Sequence, residues 1–275
     1  MSNIEKIINE AFENREKINP KNADASIRDA VLSCIEKLDK GEIRVAEKVN
    51  GNWTVNEWIK KAVILYFPTQ KMEVIKAGQL QFYDKMKLKS NFKELGVRVV
   101  PHAIARFGAF LARGVIMMPS YVNIGAYVDK GTMIDTWATV GSCAQIGQNV
   151  HISGGVGIGG VLEPVQAHPV IIEDNVFVGS RSIIVEGVKI EKEAVLGANV
   201  VITASTKIID VSNENPIEYK GYIPSRSVVI PGTYQKEFKS GNYGVACALI
   251  IGKRKQSTDK KTSLNNALRD YNISV

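Results

Sequence analysis

The chain has 275 residues, 45% of them apolar, which suits one large core with terminal additions or two domains. Its formal net charge of +7 comes from scattered lysines and only 7% of its residues are aromatic, which excludes a stacking platform for nucleic-acid bases. No apolar run approaches a membrane-crossing helix, the first residues lack a secretion-signal pattern, and three distant cysteines (Cys34, Cys143, Cys247) fit a reducing cytosol better than a disulfide scaffold or a zinc site.

From the N-terminus, Ile4, Ile7, Ile8 and Phe12 fall at helical spacing, with Ser2 or Asn3 as the cap. A second helix is predicted from about Ala25 to Leu38. Arg44 to Val49 and Trp53 to Val55 flank Asn50-Gly51 and predict a hairpin. A third helix follows from Asn56 to about Tyr66. These elements are expected to form an α-rich domain, residues 1–97, over the open end of the next domain, where bare strand edges would otherwise be exposed.

From Ile104 every sixth residue is apolar: Ile104, Phe110, Ile116, Val122, Val128, Ile134, Val140, Ile146, Ile152 and Ile158, then Ile172, Val178, Ile184, Ile190, Leu196, Ile202 and Ile208. Seventeen hits at this composition have chance odds of roughly one in a million. A period of six fits neither a helix nor a plain strand; it marks a hexapeptide-repeat parallel β-helix. Two residues before each apolar position the chain is mostly small or β-branched, as at Gly108, Gly114, Ser120 and Ala126. Large and small side chains together fill a narrow prism. Gly, Asn or Asp often follows the apolar position, as at Asn123, Asp129, Asp135, Gly141 and Gly159, and is expected to make the tight corners. The β-helix is assigned to 98–232, and a C-terminal extension to 233–275, with a strand at Gly244 to Ile251 and a helix at Ser263 to Tyr271.

The repeat breaks between Ile158 and Ile172, where about eight residues bulge out, and again after Ile208. Long excursions from a solenoid are more often functional than accidental. The run Gly155-Val-Gly-Ile-Gly159-Gly160 matches a dinucleotide fingerprint, but no helix follows it, so that reading is rejected. Its glycines make either a coil wall or a flat surface for a ligand backbone. His102, His151 and His168 are too scattered for a metal site. His151 is a candidate base or a structural histidine. Asp135, beside Trp137, is a turn former or a carboxylate in a partly apolar cleft. Glu163, at the start of the bulge, is the second carboxylate candidate.

The run Tyr121-Val-Asn-Ile-Gly-Ala-Tyr-Val-Asp-Lys-Gly-Thr-Met-Ile-Asp-Thr-Trp-Ala-Thr-Val-Gly-Ser-Cys-Ala-Gln-Ile-Gly, with Asn149-Val-His-Ile-Ser-Gly-Gly-Val-Gly-Ile-Gly-Gly-Val-Leu-Glu-Pro, closely resembles the tetrahydrodipicolinate N-succinyltransferase family. Asn22-Ala-Asp, Arg44-Val-Ala-Glu-Lys, Trp58-Ile-Lys-Lys-Ala-Val, Arg98-Val-Val-Pro and Ile172-Glu-Asp-Asn extend the resemblance over nearly the whole chain. It implies a cytosolic homotrimer of left-handed parallel β-helices, mainly β, with an N-terminal α-rich domain. It implies succinyl transfer from succinyl-CoA, a co-substrate and not a bound cofactor, to tetrahydrodipicolinate in diaminopimelate and lysine biosynthesis. Neither a metal, a nucleic acid nor a membrane is implied.

By the same resemblance Arg98 and Asp135 bind the substrate, and Asp135 is the candidate catalytic group, as general base or ammonium anchor. Glu163 is a further substrate-binding candidate. Gly159, Gly160, Lys207, Lys253 and Arg254 are the candidates for CoA, the last three from charge and position. The 161–171 bulge is expected to reach toward a neighbouring subunit. Ser180-Arg-Ser-Ile183 departs from the family, which often has Glu where this chain has Ile183. An acetyl-CoA- or acyl-carrier-protein-dependent acyltransferase and a non-catalytic β-helix scaffold are the alternatives.

Overall fold

The computed structural model describes residues 3–255 and Tyr271. The first helix, α1 (Asn3–Glu13), buries Ile8, Ala11 and Phe12. Helix α2 (Ala25–Lys40) buries Ala30, Val31, Cys34, Ile35 and Leu38 along one stripe. It ends at Gly41, whose left-handed backbone lets its N–H reach the Leu38 carbonyl. The Ala46–Val49 and Asn52–Val55 strands pair antiparallel, and Asn50 and Gly51 both take positive φ, as a two-residue hairpin turn requires. Helix α3 (Glu57–Thr69) completes the helical unit. A second hairpin, Glu73–Ala77 with Leu80–Asp84, was not expected from the sequence. The expected helix at Ser263 to Tyr271 lies outside the described residues apart from Tyr271.

The three-helix unit does not sit over the open end of the prism. Its core is continuous with Ile124 and Cys143 and packs on Phe107, Leu162 and Val165, all along one edge of the coil. The end is covered instead by a short helix, α4 (Phe92–Leu95), whose Phe92 and Leu95 pack on the coil core.

Beyond α4 the chain forms a parallel β-helix with three faces. Face I runs through Arg98–Val99, Ile116–Met117, Met133–Ile134, His151–Ile152, Phe177–Val178 and Val195–Leu196. Face II runs through Phe110–Leu111, Tyr127–Val128, Gln145–Ile146, Ile171–Ile172, Lys189–Ile190 and Tyr222–Ile223. Face III runs through Ile104–Ala105, Tyr121–Val122, Thr139–Val140, Gly157–Ile158, Ile183–Ile184 and Val201–Ile202. In each two-residue strand the second residue points inward. Each buried Val, Ile or Leu contributes about 1.5–3 kcal/mol, an upper estimate.

The register differs from the sequence reading at the start. Ile104, Phe110 and Ile116 are outward and partly exposed, while Ala105, Leu111 and Met117 are buried. The small inward partners there are Ala109 and Val115, not Gly108 and Gly114. Ile104 pairs with Tyr121, 17 positions on, whereas Tyr121 pairs with Thr139, 18 positions on. The first coil is one residue short, so the apolar series crosses from the outer surface to the core near Pro119 without breaking its period.

The corners differ too. The left-handed residue sits three positions after the inward residue, at Gly125, Trp137, Cys143, Asn149, Gly155, Asn175 and Arg181, not directly after it. Gly141 and Gly159 have another reason to be glycine. A Cβ at Gly141 would meet the backbone of Gly159 and Gly160, and one at Gly159 would meet Val185.

After face I reaches Val195–Leu196, a long antiparallel hairpin, Ser227–Phe238 with Gly241–Lys253, extends the sheet. It starts earlier and is longer than the expected Gly244 to Ile251 strand.

The one-residue shift has a measurable consequence. Met117→Ala should cost about 2–5 kcal/mol, the range for truncating a buried side chain. Ile116→Ala, at the neighbouring outward position, should cost clearly less. Denaturant unfolding of the two variants checks this; equal losses would contradict the register.

Candidate active site

Face I carries the outward column Arg98, Ile116, Met133, His151 and Phe177, one residue per coil. Strand alternation puts Asp135 outward again, two residues after Met133. The Asp135 N–H continues the ladder to the Ile152 carbonyl at 2.9 Å. Its Oδ1 accepts the Thr136 N–H at 2.6 Å and the Thr136 hydroxyl at 3.2 Å, which fixes the carboxylate. Arg98 is exposed, and its guanidinium makes no hydrogen bond or ion pair among the described residues. Arg98 and Asp135 belong to strands two spacings apart, roughly 10 Å along the face.

Trp137 is the extra residue of the second coil. It takes φ +61°, and its N–H reaches back to the Pro119 carbonyl of the shorter coil below. The residue is 74% exposed. The partly apolar cleft expected beside Asp135 is therefore absent within one chain: the ring stands out at the corner with no wall opposite it.

His151 is half-buried and lies flat against Phe177, with ring centroids 5.1 Å apart and planes 8° from parallel. Burial lowers its pKa from the ordinary imidazole value, and the Asp135 carboxylate pulls it back up. The other two histidines lie elsewhere. Among the described residues no three His, Cys, Asp or Glu side chains are placed to hold a metal. Burial pushes the thiols of Cys34 and Cys143 up to about 12, so both are packed and unreactive at neutral pH.

Glu163 is not brought to Asp135. It is exposed on the 159–170 bulge, at a different edge of the prism. That bulge is tied to its own helical unit on one side, while Glu163, Pro164, Gln166 and His168 are exposed. Lys60 of α3 is fully buried, and its Nζ donates to the carbonyls of Pro164 at 3.1 Å and Ala167 at 2.9 Å. Leu162 and Val165 pack into the helical core beside it.

The glycine wall is largely occupied by the coil itself. The N–H groups of Gly155, Gly157 and Gly159 donate to the carbonyls of Thr136, Ser182 and Ile184. A Cβ on Gly160 would press on the Ser142 backbone. Ile183 lies directly above Gly157 and fills the space of its missing side chain.

The three cations do not converge. Lys207 pairs with Glu218 at 2.6 Å and lies over the Tyr234 ring. Lys253 donates to the Ser225 carbonyl and the Ser227 hydroxyl. Arg254 is buried and donates to the Asn175 carbonyl at 3.0 Å. Lys253 and Arg254 serve the edge between faces II and I, and Lys207 the edge between III and II.

A cleft that sequence reasoning missed lies on face II. It has a volume of about 740 Å³ and is bounded by Trp53, Glu173, Lys189, Lys220 and Tyr222. Burial pushes the Glu173 carboxyl up, but hydrogen bonds from Lys48 and Trp53 outweigh it and hold the group below its usual range. Its parts come from distant stretches of sequence, so no local pattern announces it.

The chain is similar along its length to proteins named 2,3,4,5-tetrahydropyridine-2,6-dicarboxylate N-succinyltransferase. The protein of Aromatoleum aromaticum is 56% identical over 275 residues, covering 98% of this chain and 99% of that one. That of an Azoarcus species is 56% identical, with the same shares covered. That of Acinetobacter baylyi is 53% identical, again with 98% and 99% covered. The chain belongs to the tetrahydrodipicolinate N-succinyltransferase family. The family's N-terminal model matches residues 3–69, which are α1 to α3 with the hairpin between the last two. The hexapeptide repeat of succinyl-transferase matches residues 169–204, which form the upper coils of the left-handed parallel β-helix.

Proposed function

We propose that this chain transfers succinyl from succinyl-CoA to the amine of tetrahydrodipicolinate, in its ring-opened form L-2-amino-6-oxopimelate, within diaminopimelate and lysine biosynthesis. Full-length identity of 56% to proteins carrying that name supports it. So does one geometric observation: Arg98 and Asp135, a cation and an anion, project from the same face of the coil. An amino-dicarboxylate carries the complementary pair of charges. Arg98 offers two parallel N–H donors to a carboxylate. Asp135, with Oδ1 tied to Thr136, presents its remaining oxygen lone pairs to an ammonium.

The amine then attacks the thioester carbonyl, and CoA leaves as the thiol. The glycine N–H groups at 155, 157 and 159 serve the coil ladder, so the oxyanion draws its donors from elsewhere. Lys207, Lys253 and Arg254 each have partners in this chain, so a CoA phosphate there would compete with existing contacts.

The second wall of the site is supplied, in this reading, by another copy of the chain. Trp137 stands exposed beside Asp135, and the outward Ile116 and Met133 form an apolar strip on the same face. We infer a cytosolic homotrimer in which a neighbour covers this corner.

The decisive experiment is release of free CoA from succinyl-CoA in the presence of tetrahydrodipicolinate, with acetyl-CoA as the competing donor. Turnover with succinyl-CoA well above acetyl-CoA is expected; the reverse ranking would favour an acetyltransferase. Arg98→Ala should raise the KM for the dicarboxylate roughly 10- to 150-fold, the worth of charge-assisted bonds of about 1.5–3 kcal/mol, and leave that for succinyl-CoA nearly unchanged. Asp135→Asn should lower kcat/KM for the amine substrate by about as much without lowering the melting temperature, because Asn suits the corner equally. Light scattering at micromolar concentration should give three times the 30.2 kDa chain mass; a monomer would refute the shared site.

A further inference from the structure

We propose that His151 is the proton acceptor of the transfer, and that Asp135 anchors the ammonium and steers the imidazole. This rests on the succinyltransfer reading above and assigns the step that reading leaves open.

The placement carries the argument. His151 and Met133 are register partners on face I, both outward. Asp135 is two residues beyond Met133 on the same side, so His151 and Asp135 are diagonal neighbours, about 7–8 Å apart at the backbone and within reach of long side chains or one substrate group between them. Arg98 stands in the same column, on the strand that pairs with Ile116. Cation, anion and imidazole thus line one face, in an order matching a carboxylate, an ammonium and its departing proton.

The chemistry favours the imidazole over the carboxylate. Carboxylates as a class are weaker bases than imidazole by about two to three pKa units, and a base works best near the operating pH. Oδ1 of Asp135 also accepts two hydrogen bonds from Thr136, and its other oxygen is assigned to the ammonium. His151 makes no side-chain hydrogen bond among the described residues, and its ring is held by stacking on Phe177, which leaves its nitrogens at the ring edge. Phe177 is itself packed on Val195 and Val228, so the stack is backed by the C-terminal hairpin.

The charged and titratable groups around His151 are few. Asp135 follows the strand below; the strand above presents Phe177; of the corners flanking that strand, one carries Arg181 and the other, at Asn175, receives the Arg254 guanidinium. Burial keeps the imidazole neutral near pH 7, and Asp135 moderates that effect.

In the step itself, the neutral imidazole takes one proton from the anchored ammonium, and the freed lone pair forms the N–C bond at the thioester carbonyl. The tetrahedral oxyanion collapses, the C–S bond breaks, and the imidazolium returns the proton to the departing CoA sulfur. The second proton that the nitrogen sheds as the amide forms passes to water, so atoms and charge balance with no further reactant.

The test is the pH dependence of kcat, which reports groups in the enzyme–substrate complex. Saturating succinyl-CoA and tetrahydrodipicolinate would be used from pH 5 to 9. The wild type should lose turnover on the acid side through a single protonation. His151→Asn should reduce kcat by about 10²–10⁴-fold, abolish that acid limb, and leave the KM for succinyl-CoA within about threefold of the wild type. Asp135→Asn should keep the limb but move it to lower pH, because removing the carboxylate charge weakens the protonated imidazole. His151→Asn with near wild-type kcat and the same acid limb would overturn the assignment. So would an acid limb unmoved by Asp135→Asn, which needs no substitution at His151 and stays informative if that variant folds poorly. Absence of any wild-type turnover with succinyl-CoA would instead overturn the reading of the function.

Discussion

The in-register parallel ladder from coil to coil is the constraint on which everything else depends. Each coil presents short strands of two residues, one inward and one outward, and each strand hydrogen-bonds to those directly above and below it. A slip of one residue would exchange core and surface along a whole face. The first coil shows how tightly this is held. It is one residue short, and the chain absorbs the deficit at the Pro119 corner, so that Met117 still stacks beneath Ile134. Trp137 is the visible result, a left-handed residue at the corner that gains a position.

That ladder also builds the proposed site. Because outward residues stack in columns, Arg98, Met133 and His151 share a face although they are separated by tens of residues in sequence. Rigidity comes with the column: a strand pinned on both sides has little freedom to move its side chain away from its neighbours. The two long excursions, 159–170 and 203–221, leave the coil at one edge, between faces III and II. The first is tied down by the buried Lys60 ammonium, which two carbonyls and the packed Leu162 and Val165 make tolerable in an apolar setting. The edge carrying Asp135 and Trp137 stays bare, and that bareness is what a partner chain would use.

Much of the fold was legible in the sequence. The three helices and the Asn50-Gly51 hairpin followed from local spacing and turn chemistry, and the β-helix from its period. The misplaced features share one cause. The period of six is carried equally by an outward apolar series and an inward one, so Ile104, Phe110 and Ile116 could not be told from Ala105, Leu111 and Met117 by pattern alone. The Glu73–Ala77 hairpin was missed because it is mostly exposed and has no buried face to impose alternation. The residues of the proposed site, Arg98, Asp135 and His151, could be named from the sequence, two of them through family resemblance and one through its chemistry. Their grouping on one face was not.

The sequence by itself determined the repeating coil, its parallel ladder and the family, because each rests on local periodicity or on identity spread along the chain. Only the tertiary structure decided which residues meet. It separated Glu163 from Asp135, gave Lys207, Lys253 and Arg254 partners within the chain, tied the bulge to Lys60, and set His151 flat on Phe177 on the face that leads to Asp135. The physical reason is that these relations depend on how many residues each coil spends at its corners. A single residue at Pro119 or Trp137 changes which side chains stack, and no window of sequence shorter than a full coil contains that count.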